Sequence, residues 1–284
     1  MEELRTLARE LLSSDKVQVV IGYEDAPRGG GVRAAFITDP DDVERLVFDE
    51  RCKNNLAVYL QKKRKQIRSM GRPAIVVKGC DARAVAGLIR DSQIGRENVE
   101  LIGVHCAGVK TEDGSLDARC LVCDCTAPEL YDHLLGPEAE VQGEGDPLGE
   151  KVAAMESLSA DDRWDLWMKE LSRCTRCNAC REVCPICFCE RCVQDKTVPQ
   201  WIDSSAHTQG NLSWHVTRAM HLAGRCVGCG ECERACHAGL PLAALMRKVR
   251  DIVEGSFGEK PSGDPEKVAP LGTFSQEDDD SLFK

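Results

Sequence analysis

The chain has 284 residues, 42% of them hydrophobic but only 5% aromatic, with a formal charge of −10 and a pI near 5.2. That length suits one medium domain plus a smaller one, with cores that must be mostly aliphatic. So acidic a chain repels phosphate backbones, which argues against nucleic acid as a partner. No apolar stretch approaches the ~18 residues a membrane-spanning helix needs, and no apolar run follows the acidic start Met1-Glu2-Glu3, so neither a membrane span nor a secretory leader is expected.

In chain order, Leu4, Leu7, Ala8, Leu11 and Leu12 form one helical stripe within residues 1–14. Val17–Tyr23 reads as a buried strand, Ala26–Val32 as a glycine-rich loop and Arg33–Thr38 as a second strand, together a hairpin with a long turn. Gly29-Gly30-Gly31 lacks the strand–glycine–helix context of a dinucleotide fingerprint and reads as that flexible turn. Asn54–Met70 predicts a helix stopped by Gly71, with the basic run Gln61-Lys62-Lys63-Arg64-Lys65 on its wet face. Strand Ala74–Val77, helix Asp81–Ser92 and strand Val99–His105 make a βαβ unit, which implies parallel strands. The expected fold is an α/β N-terminal domain with a short parallel βαβ sheet over residues 1–135, then a linker over 136–163 whose first part is rich in Gly, Glu, Pro and Asp. A small α-rich module follows over 164–254, in which Trp164 and Trp167 are expected to anchor a helix. An acidic tail over 255–284, ending Glu277-Asp278-Asp279-Asp280, is expected to be partly disordered or ordered only against a partner.

The chain holds 17 cysteines. In a cytoplasmic protein, where thiols are kept reduced, that number points to metal rather than disulfides. Cys174-x-x-Cys177-x-x-Cys180-x-x-x-Cys184-Pro185 is the bacterial ferredoxin run, and Cys226-x-x-Cys229-x-x-Cys232-x-x-x-Cys236 repeats it. Three cysteines at two-residue gaps wrap one face of a [4Fe–4S] cubane, and the fourth reaches across to the other. One cluster is therefore expected on Cys174, Cys177, Cys180 and Cys236, the other on Cys226, Cys229, Cys232 and Cys184. Zinc ribbons use paired cysteines across a longer gap, not three in tandem plus a fourth. His237 stands where the second run would usually have proline. Between the runs, Cys187, Cys189 and Cys192 exceed what a plain ferredoxin uses. They are either shielding thiols or part of a further cluster completed from elsewhere, with Cys52 and Cys125 as spare candidates.

In the first half, Cys80 follows one strand of the βαβ unit and Cys106 the next, so both belong at the carboxyl edge of a parallel sheet, where ligand crevices occur. Cys120-x-x-Cys123 joins them from the following loop, giving four thiols for a third [4Fe–4S] cluster, with structural zinc in a docking domain as the rival occupant. His105 reads as packed. His207, His215, His221 and His237 form no recognisable metal set, and Trp201 and Trp214 are placed to shield clusters from water. No Ser–His–Asp pattern, Walker loop or paired-carboxylate motif is present.

Lys78-Gly79-Cys80, Ile102-Gly103-Val104-His105-Cys106 and Cys120-Leu-Val-Cys123-Asp124 resemble the N-terminal part of the beta-subunit family of deazaflavin-coenzyme-reducing hydrogenases and formate dehydrogenases, over roughly residues 15–135. The resemblance implies a [4Fe–4S] cluster on the corresponding cysteines and, in that family, FAD. Val77-Lys78-Gly79 stands where the family usually has Gly-Thr-Pro, and the longer portion that helps hold flavin and coenzyme looks replaced by the two-run module. Residues 171–245 resemble the two-cluster ferredoxin domains of heterodisulfide-reductase-like and electron-bifurcating assemblies. The expected function is an iron–sulfur electron-transfer subunit of a cytoplasmic multisubunit complex in an anaerobe, docked to a flavoprotein, hydrogenase, formate dehydrogenase or heterodisulfide-reductase-like subunit. The alternative is a flavin-containing oxidoreductase that itself acts on a nicotinamide, a deazaflavin or a small substrate.

Overall fold

The computed structural model describes residues 1–272 apart from Arg28, Trp201 and Ser204, so Trp201 and the acidic run at 277–280 lie outside the described residues. Helix α1 (Glu2–Ser13) leads into a sheet of β1 (Val19–Asp25), β2 (Val32–Ile37), the short β3 (Leu46–Val47), β4 (Pro73–Val77), β5 (Glu100–Val104) and β6 (His133–Leu135). Strand order is β2-β1-β4-β5-β6, with β3 also on β1. β1, β4, β5 and β6 run parallel, while β2 and β3 pair with β1 antiparallel. The expected hairpin and βαβ unit are both present, and Gly29, Gly30 and Gly31 form the hairpin turn at positive φ.

Side-chain alternation divides this sheet between two cores. Val19, Ile21, Tyr23, Ile75, Val77 and Leu101 point to one face, covered by α3 (Gly79–Arg90). Val20, Val76, Ile102 and Val104 point to the other, where α1 lays down Leu4, Ala8, Leu11 and Leu12. Each such aliphatic side chain removed from water stabilises the fold by about 1.5–3 kcal/mol before the entropy of ordering is counted.

The segment read as one helix over Asn54–Met70 is instead a 3-10 turn, Leu56–Leu60, and a single helical turn, α2 (Lys65–Arg68). Leu56, Ala57, Val58 and Leu60 are all buried, so no polar face is left for a longer helix to show. The basic run is a wet face only in part: Lys62 and Lys65 are exposed, but its other three members are tied to the second half. Gln61 is fully enclosed and donates through Nε2 to the carbonyls of Cys184 and Pro185, at 2.8 and 2.7 Å. Lys63 donates to the carbonyl of Cys187 at 2.8 Å, and Arg64 to that of Glu182.

After α4 (Ala118–Leu121) and β6, the stretch with linker composition holds α5 (Pro147–Glu156), which Asp146 caps through the N–H of Gly149. Then come α6 (Ala160–Ser172), α7 (Ala179–Glu182), α8 (Thr208–Leu222), α9 (Glu231–Arg234) and α10 (Leu242–Phe257). On α6, Trp164 is 55% exposed and stands largely in solvent, while Trp167 is half-buried. The α-rich second half matches the expected small module. Residues 258–272 run back over the first half, where Glu129 accepts from the N–H of Gly263 and Arg90 donates to the carbonyl of Lys267. Among the described residues no helix is long and apolar enough to cross a membrane.

Candidate metal centres

The two ferredoxin runs are the same structure twice. Each makes two left-handed turns at equivalent positions, Arg176 (φ 59°) and Asn178 (φ 62°) in the first, Gly228 (φ 70°) and Gly230 (φ 69°) in the second. Each then enters a single helical turn, α7 carrying Cys180 and α9 carrying Cys232. Left-handed backbone swings N–H groups inward: Arg176 N–H lies 3.4 Å from Cys174 Sγ, and beyond the second run left-handed Gly239 (φ 62°) brings Leu240 N–H to 3.5 Å from Cys236 Sγ. Glycine takes this conformation freely, whereas arginine does so at a cost of about 1–2 kcal/mol. Arg176 is held there by its bond to the carbonyl of Gly210 (3.1 Å) and by stacking 5.2 Å from the Trp214 ring.

The thiols gather crosswise between the runs. Cys174, Cys177, Cys180 and Cys236 line one narrow pocket of about 20 Å³, backed by Trp214, Leu240 and Leu242. Burial pushes the Cys180 thiol up to about 11. Arg218 pulls it down, and neighbouring Cys174, Cys236 and Cys177 push it up. On the other side burial raises Cys232 to about 12, with Arg218 opposing and Cys226 and Cys184 adding to it. Cys184, Cys226, Cys229 and Cys232 all line a second, larger cavity of about 460 Å³. Arg218, from α8, is 7% exposed and donates to the carbonyl of Cys180 at 3.2 Å, so one buried cation serves both groups. His237 lies beside Cys177, with Nδ1 3.7 Å from its Sγ. His215 is enclosed against Trp214, with neither ring nitrogen bonded to another protein group.

The same 460 Å³ cavity is walled on its far side by Cys80, Cys106, Cys120, Cys123 and Cys125. Cys80 sits in the first turn of α3, directly after β4, and Cys106 two residues past β5, both at the carboxyl edge of the parallel strands. The chain at 120–126 is pressed against the start of α3, since any Cβ on Gly79 would overlap the backbone of Cys125. Val109 N–H lies 3.4 Å from Cys120 Sγ, and Cys123 and Cys125 have sulfurs 3.9 Å apart. That contact draws the Cys123 thiol down to about 6 and Cys125 upward. Cys125 therefore belongs to this wall rather than to Cys187, Cys189 and Cys192. The signal for it was the Cys123-x-Cys125 spacing directly after Cys-x-x-Cys. Cys52 is enclosed in the first core, where Asp49 N–H lies 3.4 Å from its Sγ, and reaches neither group.

Fixed cations surround the cavity. Lys78, 3% exposed, bonds Asp81 at 2.7 Å and also Tyr23, both fully buried. Arg119 lies close enough to Cys80, Cys229 and Cys120 to be influenced by all three, which puts a positive charge between the two halves. Such charges favour the thiolates that a metal requires. Among the described residues no three His, Cys, Asp or Glu side chains stand close enough to grip a single ion. The cysteines are spread around cavities, an arrangement in which each thiolate can take a separate iron.

A family model described as a 4Fe-4S dicluster domain matches residues 170–240. The F420-dependent formate dehydrogenase subunit beta of Methanocaldococcus jannaschii is 32% identical over 99 residues, which cover 34% of this chain and 25% of the relative. The F420-dependent formate dehydrogenase 1 subunit beta of Methanococcus maripaludis is 24% identical over 293 residues, covering 70% of this chain and 75% of the relative. The chain thus spans a quarter of the first relative's length and three quarters of the second's. It carries an iron–sulfur dicluster domain, and its resemblance to these beta subunits extends beyond that domain.

Proposed function

We propose that the chain is the electron-relay subunit of a multisubunit redox complex, with its clusters held in series by one fold. Cys174, Cys177, Cys180 and Cys236 would hold the first, Cys184, Cys226, Cys229 and Cys232 the second, and Cys80, Cys106, Cys120 and Cys123 the third. The observation that carries this reading is the single cavity walled by the thiols of the second and third sets together. When bound, [4Fe–4S] clusters supply reversible one-electron chemistry.

The chain's own residues do the rest. All-thiolate donors match iron–sulfur chemistry, and the fit rests on that donor set rather than on cavity volume. Arg218, Arg119 and Lys78 supply buried positive charge beside anionic centres. Trp214, Leu240 and Leu242 exclude water from the first set. His215 offers a ring N–H with no protein acceptor in reach. A relay acts only when docked, so the reading includes stable protein partners. The names of the relatives point to another subunit of a formate dehydrogenase as the kind of partner; the cytoplasm of an anaerobe is the setting this reading proposes.

The test is iron, acid-labile sulfide and flavin per chain after anaerobic purification. At least about twelve irons, an equal amount of sulfide and no flavin are expected. About eight irons would remove the N-terminal centre. Tightly bound flavin with turnover by this chain alone would overturn the relay in favour of a flavin oxidoreductase.

A further inference from the structure

Cys187, Cys189 and Cys192 have no role in the three centres above, yet the fold gives them a cavity of their own, of about 410 Å³. These three thiols form one wall. α8 forms the opposite wall with Trp214, Thr217, Arg218 and His221. We propose that this cavity holds a fourth iron–sulfur cluster, ligated by Cys187, Cys189, Cys192 and the imidazole of His221.

Four observations carry the assignment, which rests on the relay reading and extends it. The first is the donor set. Three thiols on a six-residue loop supply three corners of a cubane, and among the described residues His221 is the one imidazole on the lining, with no fourth cysteine and no carboxylate. Imidazole is an accepted iron ligand in iron–sulfur centres.

The second is charge. Arg181, Arg218 and Arg225 line the cavity. Arg181 is paired with Asp195 and Arg225 with Asp91, so Arg218, with no carboxylate partner among the described residues, is the charge that suits an anionic occupant. The third is how the loop is held. Cys187 N–H donates to the carbonyl of Cys184 at 3.2 Å, Lys63 ties the Cys187 carbonyl from the first half, and Asp195 N–H closes the loop onto the carbonyl of Cys192 at 3.0 Å. Shielding thiols would not require the loop to be fixed from both sides.

The fourth is position. Cys187 stands three residues after Cys184, and Arg218 and Leu222 line both this cavity and the 460 Å³ one that Cys184 also lines. A centre here adjoins the second cluster, which makes the path branched rather than linear.

The ligand set also sets a property. Replacing one thiolate by a neutral imidazole removes a negative charge and raises the reduction potential. The fourth centre therefore lies above the all-cysteine centres and is the most readily reduced position in the chain.

The experiment uses the full-length, anaerobically purified protein, with iron, sulfide and zinc analysis and EPR-monitored redox titration. About sixteen irons per chain are expected. Cys189→Ser and Cys192→Ser should each lower the count to about twelve while the signals of the other centres persist, which also reports that the variants are folded. His221→Cys should keep the iron and shift the midpoint of one centre to lower potential. About twelve irons in the parent, unchanged in Cys189→Ser and Cys192→Ser, overturns the site while leaving the relay intact. One zinc per chain that these substitutions remove overturns it as a cluster. An unchanged midpoint in His221→Cys overturns the histidine ligand. Cys80→Ser, run in parallel, reports on the relay alone: if it costs no iron that reading fails, while four irons lost on Cys189→Ser still carry the fourth site.

Discussion

A Cβ at position 79 would overlap the carbonyl group of Cys125, because the 120–126 segment crosses directly over the first turn of α3. Gly79→Ala is therefore a lesion of the proposed N-terminal centre alone. It should push Cys120, Cys123 and Cys125 away from Cys80 and cost about four irons, leaving the dicluster signals in place; iron analysis and EPR on the same sample check this. Gly228 marks a comparable point in the second run. Its φ is 70° and a Cβ there would overlap the Arg250 guanidinium, whereas the equivalent residue of the first run is Arg176. Charge operates at the same scale. Arg218 is enclosed among Cys180, Cys184, Cys187 and Cys232, which together hold its guanidinium strongly protonated against the cost of burial. Arg218→Leu should make both dicluster midpoints more negative, by on the order of 1–2 kcal/mol or tens of millivolts for one-electron centres, and Arg218→Lys should restore part of the shift.

Among the elements, the two ends of the parallel strands do different work. The carboxyl ends carry Cys80 and Cys106; the amino end of β5 carries Glu100, which bonds Lys16 (2.6 Å), Arg72 (3.1 Å) and His133 (3.0 Å). Burial disfavours its charge, and Asp132 nearby does too, but the bonds from Lys16 and His133 outweigh both and hold the carboxyl below its usual range. A depressed folded-state pKa contributes stability that is present above the unfolded value, about 4.3, and lost as pH falls through the folded one. Glu100→Gln should lose about 2 kcal/mol at pH 7, and the difference in Tm between the two proteins should shrink as pH drops below about 4. The βαβ unit was legible because its strands are short apolar runs and its helix a separate amphipathic segment. The crosswise cysteine sets were legible because the spacing itself encodes the loop. The 54–70 segment was not, because Gln61 and Lys63 are fixed by carbonyls more than a hundred residues away that no local pattern reports. Cys125 reads in sequence as a spare ligand for the 187–192 loop, although its spacing to Cys123 ties it to the N-terminal wall, where a backbone crossing holds it; His221, part of no recognisable metal set, comes to the proposed fourth site only through a shared cavity wall.

At the scale of the whole molecule, the two halves meet through polar groups aimed at the cysteine loops. Glu231, 4% exposed and next to Cys232, accepts from Asn55 N–H (3.1 Å) and Asn54 Nδ2 (3.2 Å), while Arg234 reaches back to the carbonyl of Lys53 at 3.1 Å. Gln61 satisfies the carbonyls of Cys184 and Pro185 from the same segment. Residues 53–64 thus fix the distance between the N-terminal thiols and the second set, which is the distance an electron would have to cross. Buried carbonyls that lose their donor cost about 1–3 kcal/mol. Gln61→Leu should therefore loosen the CysProIleCys turn without removing any thiol. The expected result is full iron content, a Tm lowered by a few degrees, and slower electron exchange between the N-terminal and second centres after rapid photoreduction. Unchanged exchange with a lowered Tm would mean that the strap serves stability alone and that the cavity wall, not residues 53–64, holds the two sets in register.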